Sequence, residues 1–176
     1  KTSETLSDRL PIRSTVAQAA GARYSLEVRA MQMVPKLTLD DARVIMEAAE
    51  QKSNEIGVDM DIAITDDSGN LLMFHRMDKA RITSIDVAIS KAFTAAGARR
   101  STRAYGEVSQ PGGPAFGIHV SNQGRFMIVA GGLPIFVDEQ IIGGVGCSSG
   151  HPDQDEMVAQ AGIDALLRHL GKTDAT

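Results

Sequence analysis

The stretch MDIAITDDSGNLLMFHRM, residues 60–77, determines the fold that the sequence predicts. In its first half Met60, Ile62 and Ile64 alternate with polar or small residues, which is the period of a β-strand with one buried face. The DSGN sequence that follows is typical of a hairpin turn. Residues 71–77 then return as a second strand, so the stretch predicts an antiparallel pair of strands.

Three amphipathic helices are predicted around this pair. Apolar residues recur at helical spacing after each of three capping-box sequences. These boxes begin at Thr38, Thr83 and Asp153. The expected helix ends are Gly57, Gly97 and Gly171, because glycine favours the left-handed conformation that follows a helix. A shorter helix is predicted over residues 101–108.

The last third of the chain predicts further strands. The loop SQPGGP, residues 109–114, is followed by strand-like patterns over 118–120 and 125–130 and by a hairpin from 133 to 146. With the first pair, these patterns give about five strands. Strands joined by hairpins are antiparallel, so the sequence predicts an α+β fold with helices flanking an antiparallel sheet.

Three parts are predicted along the chain. Residues 14–34 are rich in helix formers, and residues 1–35, which end at a proline, are interpreted as a helical extension or arm. Residues 36–171 form the main domain, and residues 172–176 a polar tail. Because the first residue is Lys1 and not methionine, we expect the natural chain to start elsewhere or to be processed.

Composition excludes several classes of function. The 176 residues are 43% hydrophobic and 23% charged, as in one globular domain. The net charge of −4 gives no electrostatic footprint for nucleic acid, and no apolar run approaches the ~20 residues of a membrane span. The single cysteine, Cys147, cannot form an internal disulfide and is expected to be buried and inert.

No strong catalytic motif is present, so candidate residues are taken from their local setting. His119 follows the Pro/Gly loop, where a pocket rim is expected, and His75 lies on a predicted strand. Either histidine could instead be structural or solvated. Asp78 could hold a cation and Arg81 could accept a propionate or phosphate, or both could simply lie in an exposed loop.

A second group of candidates lies on the predicted helix after Thr83 and beyond it. Lys91 is the only charge in the stretch SKAFTAA, where it could pair with an anionic ligand or a carboxylate, or extend to solvent. Thr94 and Thr102 lie near the Pro/Gly loop in sequence. Their hydroxyls could serve structure or a ligand.

Several segments, taken in order, resemble the GlcG/HbpS/PduO C-terminal family of heme-binding or haem-degrading domains. They are ITDDSGNLL (64–72), RMD (76–78), SIDVAISKAFTA (84–95), QPGG (110–113), GGLP (131–134), IGGVG (142–146) and QDE (154–156). The resemblance covers residues 37–170 and is closest in character to the secreted, heme-binding HbpS type. Where relatives tend to have a Ser-Gly-Gly run after the last strand, this sequence reads CSSGH.

The resemblance implies a PAS- or profilin-like sheet and a homo-oligomer, an octamer in the HbpS type. It implies a heme ligand and iron ions, and a role in heme or iron sequestration and redox-stress sensing through a membrane sensor kinase of a two-component system. A secreted location follows from it, with a cytoplasmic one as the alternative. The alternative functions are a heme-degrading or peroxidase-like enzyme, and an interaction module without a ligand.

The expected heme site lies between the helix over 83–97 and the loop over 109–117. Its small helical side chains would leave room for a flat ring, and the glycines of the loop allow close approach. The candidate axial donors are His119, Thr94 and Thr102, and the candidate propionate partners are Lys91, Arg81 and Arg99. Asp78 and His75 are the residues assigned to iron ions.

Overall fold

The structure is a computed structural model that describes residues 33–172. The predicted arm, up to residue 32, and the polar tail from residue 173 onward lie outside the described residues. The elements are α1 (Leu39–Glu55), β1 (Asp61–Asp66), β2 (Leu71–Arg76), α2 (Ser84–Ala98), α3 (Thr102–Val108), two 3₁₀ helices (Ile118–Val120 and Asn122–Gly124), β3 (Gly132–Val137), β4 (Gln140–Ser148) and α4 (Pro152–His169). None of the helices within 33–172 has the length and apolar character needed to cross a bilayer.

The four strands form one antiparallel sheet in the order β2-β1-β4-β3. The predicted α+β class and the flanking helices are therefore confirmed. Helices α1 and α4 pack together on one face, while α2 packs on the other face against β1 and β4. The strand alternation read from the sequence explains this division, because Ile62 and Ile64 face α1 and α4 whereas Ala63 faces α2.

The contact between α2 and the sheet is unusually close because β4 presents glycine to it. A Cβ added at Gly146 would lie 2.1 Å from the carbonyl oxygen of Ala88. At Gly144 it would lie 2.5 Å from the carbonyl oxygen of Ala92. The helix thus rests on the strand backbone, which is the role that the glycine-rich IGGVG segment has in this fold.

Helix beginnings agree with the sequence at α1 and differ at α2 and α4. The capping box at Thr38 is confirmed. Thr83 makes no side-chain capping bond, because a tight turn leads directly into α2. Helix α4 begins earlier than predicted: His151 is its N-cap and forms a capping box with Gln154, because Pro152 fits the first helical position, where no N–H is needed.

Helix ends follow the glycine pattern in two of three cases. Gly57 and Gly171 come directly after the caps of α1 and α4, with φ of 70° and 67°. Gly97 was expected to end α2, but the helix continues to Ala98. Arg99 takes the left-handed conformation there, with φ of 55°.

The strand count is four, so the expectation of about five is wrong in detail. Residues 118–120 form a 3₁₀ helix, and residues 125–130 contain no strand. Within 125–130 the contacts shown are with α3 and not with a neighbouring strand. The Phe126 ring meets the Tyr105 ring of α3 edge-on at 4.8 Å, and Gly106 of α3 lies against the carbonyl of Ile128.

Candidate functional site

Lys91 is buried and paired with a carboxylate. Its side chain is 1% exposed, and its Nζ donates to Asp155 Oδ2 at 2.7 Å and to the Cys147 carbonyl oxygen at 2.8 Å. Asp155 Oδ1 accepts from the Gly150 N–H at 2.9 Å. Of the readings left open by the sequence, the structure shows pairing with a carboxylate, and a propionate could meet Lys91 only if this pair separated.

The small residues beside Lys91 are covered by the sheet. Ala88, Ala92, Ala95 and Ala96 are buried, and β4 packs directly on this face of α2. The expectation that they leave room for a flat ring is therefore wrong, because the glycines of β4 allow the strand itself to fill that space.

Both candidate threonines use their hydroxyls to hold the chain between α3 and β3. Thr94 donates to the Arg125 carbonyl at 3.2 Å and accepts from the Met127 N–H at 2.8 Å. Thr102 accepts from the Gly132 N–H at 2.9 Å and lies 3.4 Å from its carbonyl oxygen. Both side chains are buried. Their role as axial donors remains a prediction, and it would require these bonds to be exchanged.

Arg81 belongs to a hydrogen-bonded chain at the end of the sheet that the sequence did not reveal. Its guanidinium donates to the Ser149 carbonyl at 2.5 Å, and its N–H donates to Ser149 Oγ at 2.9 Å. Ser149 Oγ in turn donates to Asp61 Oδ2 at 3.1 Å. Arg81 thereby fastens the loop before α2 to the loop before α4.

Asp61 is the buried acid in the series of hydrogen bonds that begins at Arg81. Its Oδ1 has no hydrogen-bond partner among residues 33–172. Burial raises the pKa of the Asp61 carboxyl, while the hydrogen bond from Ser149 and the charge of Arg76 oppose the increase. Burial likewise raises the pKa of the Cys147 thiol, with the Asp155 charge adding to the effect, so the thiol stays protonated as predicted.

The two residues assigned to iron are both exposed. The His75 imidazole contacts Glu50 on α1, and Asp78 lies in the loop after β2. In the part of the chain that the structure describes, no three or more His, Cys, Asp or Glu side chains gather as a metal site. Iron binding at Asp78 remains a prediction that would need ligands from another subunit.

His119 lies on the surface in an apolar setting. It is the middle residue of the first 3₁₀ helix, and its imidazole makes no hydrogen bond within residues 33–172. The same loop exposes Phe116 at 64% and Val120 at 72%. His151, by contrast, uses its imidazole to cap α4. Within the described residues, His119 therefore combines an unpaired imidazole with neighbouring apolar surface, and its role as a heme ligand stays a prediction.

Among the described residues, two arginine side chains lie over aromatic rings, and the sequence did not reveal these contacts. The Arg125 Cζ lies 3.9 Å from the centroid of the Phe93 ring of α2. The Arg100 Cζ lies 5.7 Å from the centroid of the Tyr105 ring. Arg99, the third candidate propionate partner, is exposed at the end of α2. Arg125 and Phe93 are 32 residues apart in the sequence, so no local pattern could have shown their contact.

An open groove of about 420 Å³ lies beside α3. Gln110, Ile128 and Pro152 contribute to its walls together with Arg103. The Arg103 guanidinium is held by Glu156 and by Asp153, each at 2.5 Å, and these hydrogen bonds raise the pKa of Arg103. Since that charge is already balanced, the groove offers no free cation.

Comparison with known proteins agrees with this fold. The family model for the haem degrading protein HbpS-like family matches residues 37–164. An uncharacterised 15.0 kDa protein from the dhaT-dhaS intergenic region of Citrobacter freundii is 37% identical over 135 residues, covering 77% of this chain and 95% of the relative.

Two solved structures are similar over most of the chain. The Klebsiella pneumoniae protein ORFY superposes with a TM-score of 0.76 at 37% identity, covering 77% of this chain and 94% of that one. PduOC, solved as a heme complex, superposes with a TM-score of 0.72 at 30% identity, covering 74% of this chain and 95% of that one. Sequence, fold and family model thus agree, and the chain belongs to the HbpS-like family.

Proposed function

We propose that this protein binds heme. The observation that carries the proposal is the match, over 95% of its length, with a domain solved as a heme complex. Family membership supports it further. A heme-binding protein needs an iron ligand, apolar contact for the ring and cations for the propionates. The surface around His119 offers the first two of these in one loop.

The His119 loop is the proposed site of iron ligation. Neutral imidazole is a common axial ligand of heme iron, and this one is exposed and makes no hydrogen bond to the residues that the structure describes. Phe116 and Val120 supply apolar surface within a few residues of it. Since one exposed loop covers only part of a porphyrin, a second subunit would supply the opposite wall.

Replacing His119 should alter the spectrum of bound heme. Titration of the protein with hemin should give a Soret band, and His119→Ala should shift that band and weaken binding about tenfold or more, because the iron loses its protein ligand. The measurement is an absorbance titration of each protein at equal concentration.

His169→Ala is the matched control for this titration. His169 is also exposed, but it lies in the last turn of α4, where its imidazole complements the helix dipole. Its replacement should leave the Soret position unchanged. If His119→Ala binds hemin with the wild-type spectrum and affinity, another residue ligates the iron.

Self-association is proposed through the same loop. Exposed Phe116 and Val120 would be buried between subunits, and closed symmetry is the usual form of such assemblies. The double variant Phe116→Ser/Val120→Ser should lower the mass measured by light scattering, because each change removes apolar area from the interface. Ile82→Ser, at an equally exposed site before α2, should not. A monomeric wild-type mass at micromolar concentration contradicts the proposal.

The wider role that we propose is heme or iron sequestration with redox-stress sensing. Its support is the resemblance to the HbpS type, which also suggests an octamer, a membrane sensor kinase as partner and a secreted location. Co-purification of the hemin-loaded oligomer with a sensor kinase, sensitive to peroxide, would test the partnership. Fractionation of the natural host would test the location.

Heme degradation is the second candidate function. The haem-degrading description of the matching family is the observation that favours it. When a reductant or peroxide is added to the hemin complex, an enzyme would abolish the Soret band and release iron. A binding protein would keep the Soret band and the bound iron. Iron captured by a chelator, measured against free hemin under the same conditions, distinguishes the two.

A further inference from the structure

The guanidinium of Arg125 is held in place by an aromatic ring but forms no ion pair with the residues that the structure describes. Its side chain is exposed, and its guanidinium lies over the Phe93 ring at 3.9 Å. Arg43 and Arg103 pair with carboxylates, whereas Arg125 forms no ion pair within residues 33–172. A guanidinium that lies over an aromatic ring contacts it through its flat face. Its N–H groups point outward in the plane of the guanidinium and remain free to donate.

The backbone on both sides of Arg125 is fixed. Thr94 binds the Arg125 carbonyl and the Met127 N–H, and the Phe126 ring between them packs edge-on against Tyr105. The Phe93 ring lies so close to Gly69 that a Cβ added there would be 2.6 Å from it. The guanidinium is therefore preorganised, and binding an anion would order little additional chain.

Arg125 also lies within reach of the proposed iron ligand. Consecutive turns fold the segment between the two residues, with Ser121 N–H donating to the Ile118 carbonyl and Arg125 N–H to the Asn122 carbonyl. The six residues from His119 to Arg125 could span at most ~20 Å fully extended. The positive φ angles of Asn122 (52°) and Gln123 (59°) bend this segment, so its ends lie closer together than that limit. A porphyrin with its iron at His119 could place a carboxylate near Arg125.

We infer that Arg125 binds a propionate carboxylate of the heme whose iron His119 holds, and so selects porphyrins with free carboxylates. This inference rests on the proposed heme binding. Arginine suits the role because its planar N–H groups match a carboxylate in bidentate geometry. Lys91 and Arg81 are less suited, because Asp155 and Ser149 already occupy their donors.

The test compares hemin with hemin dimethyl ester, in which both carboxylates are blocked. Wild-type protein should bind hemin about tenfold more tightly than the ester, as for one charge-assisted contact. Arg125→Gln should remove this preference by weakening hemin binding alone, with affinity for the ester unchanged. Arg125→Lys, which keeps the charge but loses the stacked planar group, should give an intermediate preference.

Arg43→Gln is the matched control, because it removes the same charge from α1 on the opposite face of the sheet. It should keep the full preference for hemin. Equal loss of affinity for both porphyrins in Arg125→Gln, or no loss for either, overturns the propionate assignment while heme binding stands. If wild-type protein binds neither porphyrin, the proposed function itself fails, and the two failures are thereby distinguished.

Discussion

Lys91→Met should lower the free energy of unfolding by about 3–5 kcal/mol, because it leaves the buried Asp155 carboxylate without its cation. Methionine is similar in length to lysine and fills the space of its aliphatic stem. The decrease in the free energy of unfolding therefore comes mainly from the missing charge and not from a cavity. Asp155 also anchors the Gly150 N–H, which links the pair to the start of α4. Urea unfolding at fixed protein concentration measures the change.

The double variant Lys91→Met/Asp155→Leu should recover most of that loss. Replacing both members of a buried ion pair with apolar residues removes the cost of an unpaired buried charge. As a surface control, Lys52→Met breaks an exposed pair with Glu55 and should cost less than about 1 kcal/mol. A Lys91→Met loss no larger than that of Lys52→Met would show that the buried pair contributes nothing.

Local patterns predicted the elements that are formed by residues close in sequence. The alternation in β1, the turn before β2 and the capping box at Thr38 each involve residues a few positions apart, and the structure shows all three. The prediction of a strand over 125–130 is wrong because the same composition suits a strand or a segment packed on helices. Only the partners, Tyr105 and Gly106 of α3, decide between them.

The candidate site was less predictable than the helices and strands, because its contacts join residues that are far apart in the sequence. The isolation of Lys91 in an apolar helix left both a paired charge and an extension to solvent open, because its partner Asp155 lies 64 residues away, on α4. The IGGVG segment indicated close backbone approach without naming α2 as the neighbour. His119 stood out from the sequence alone because it follows a loop rich in proline and glycine. Arg125 did not, because its significance depends on the Phe93 ring beneath it.

Gly146→Ala should destabilise the protein by about 3 kcal/mol or more, because the added methyl group would meet atoms that cannot easily move. Its Cβ would lie 2.1 Å from the Ala88 carbonyl oxygen and 2.5 Å from the Ala92 N–H nitrogen, both in the backbone of α2. Relief would require the whole helix to move away from β4. That movement would also strain the Lys91–Asp155 pair, which spans the same layers.

Gly97→Ala adds the same methyl group within α2, but it should have the opposite effect on stability. Gly97 lies inside α2, and a Cβ there would meet no atom within 4 Å. Alanine in a helix interior is favoured over glycine by roughly 0.5–1 kcal/mol, so this variant should be more stable than the wild type. Both proteins differ from the wild type by a single methyl group, so urea unfolding of the pair isolates the effect of the contact with β4. If Gly146→Ala were as stable as Gly97→Ala, the close approach of α2 to β4 would not exist in solution.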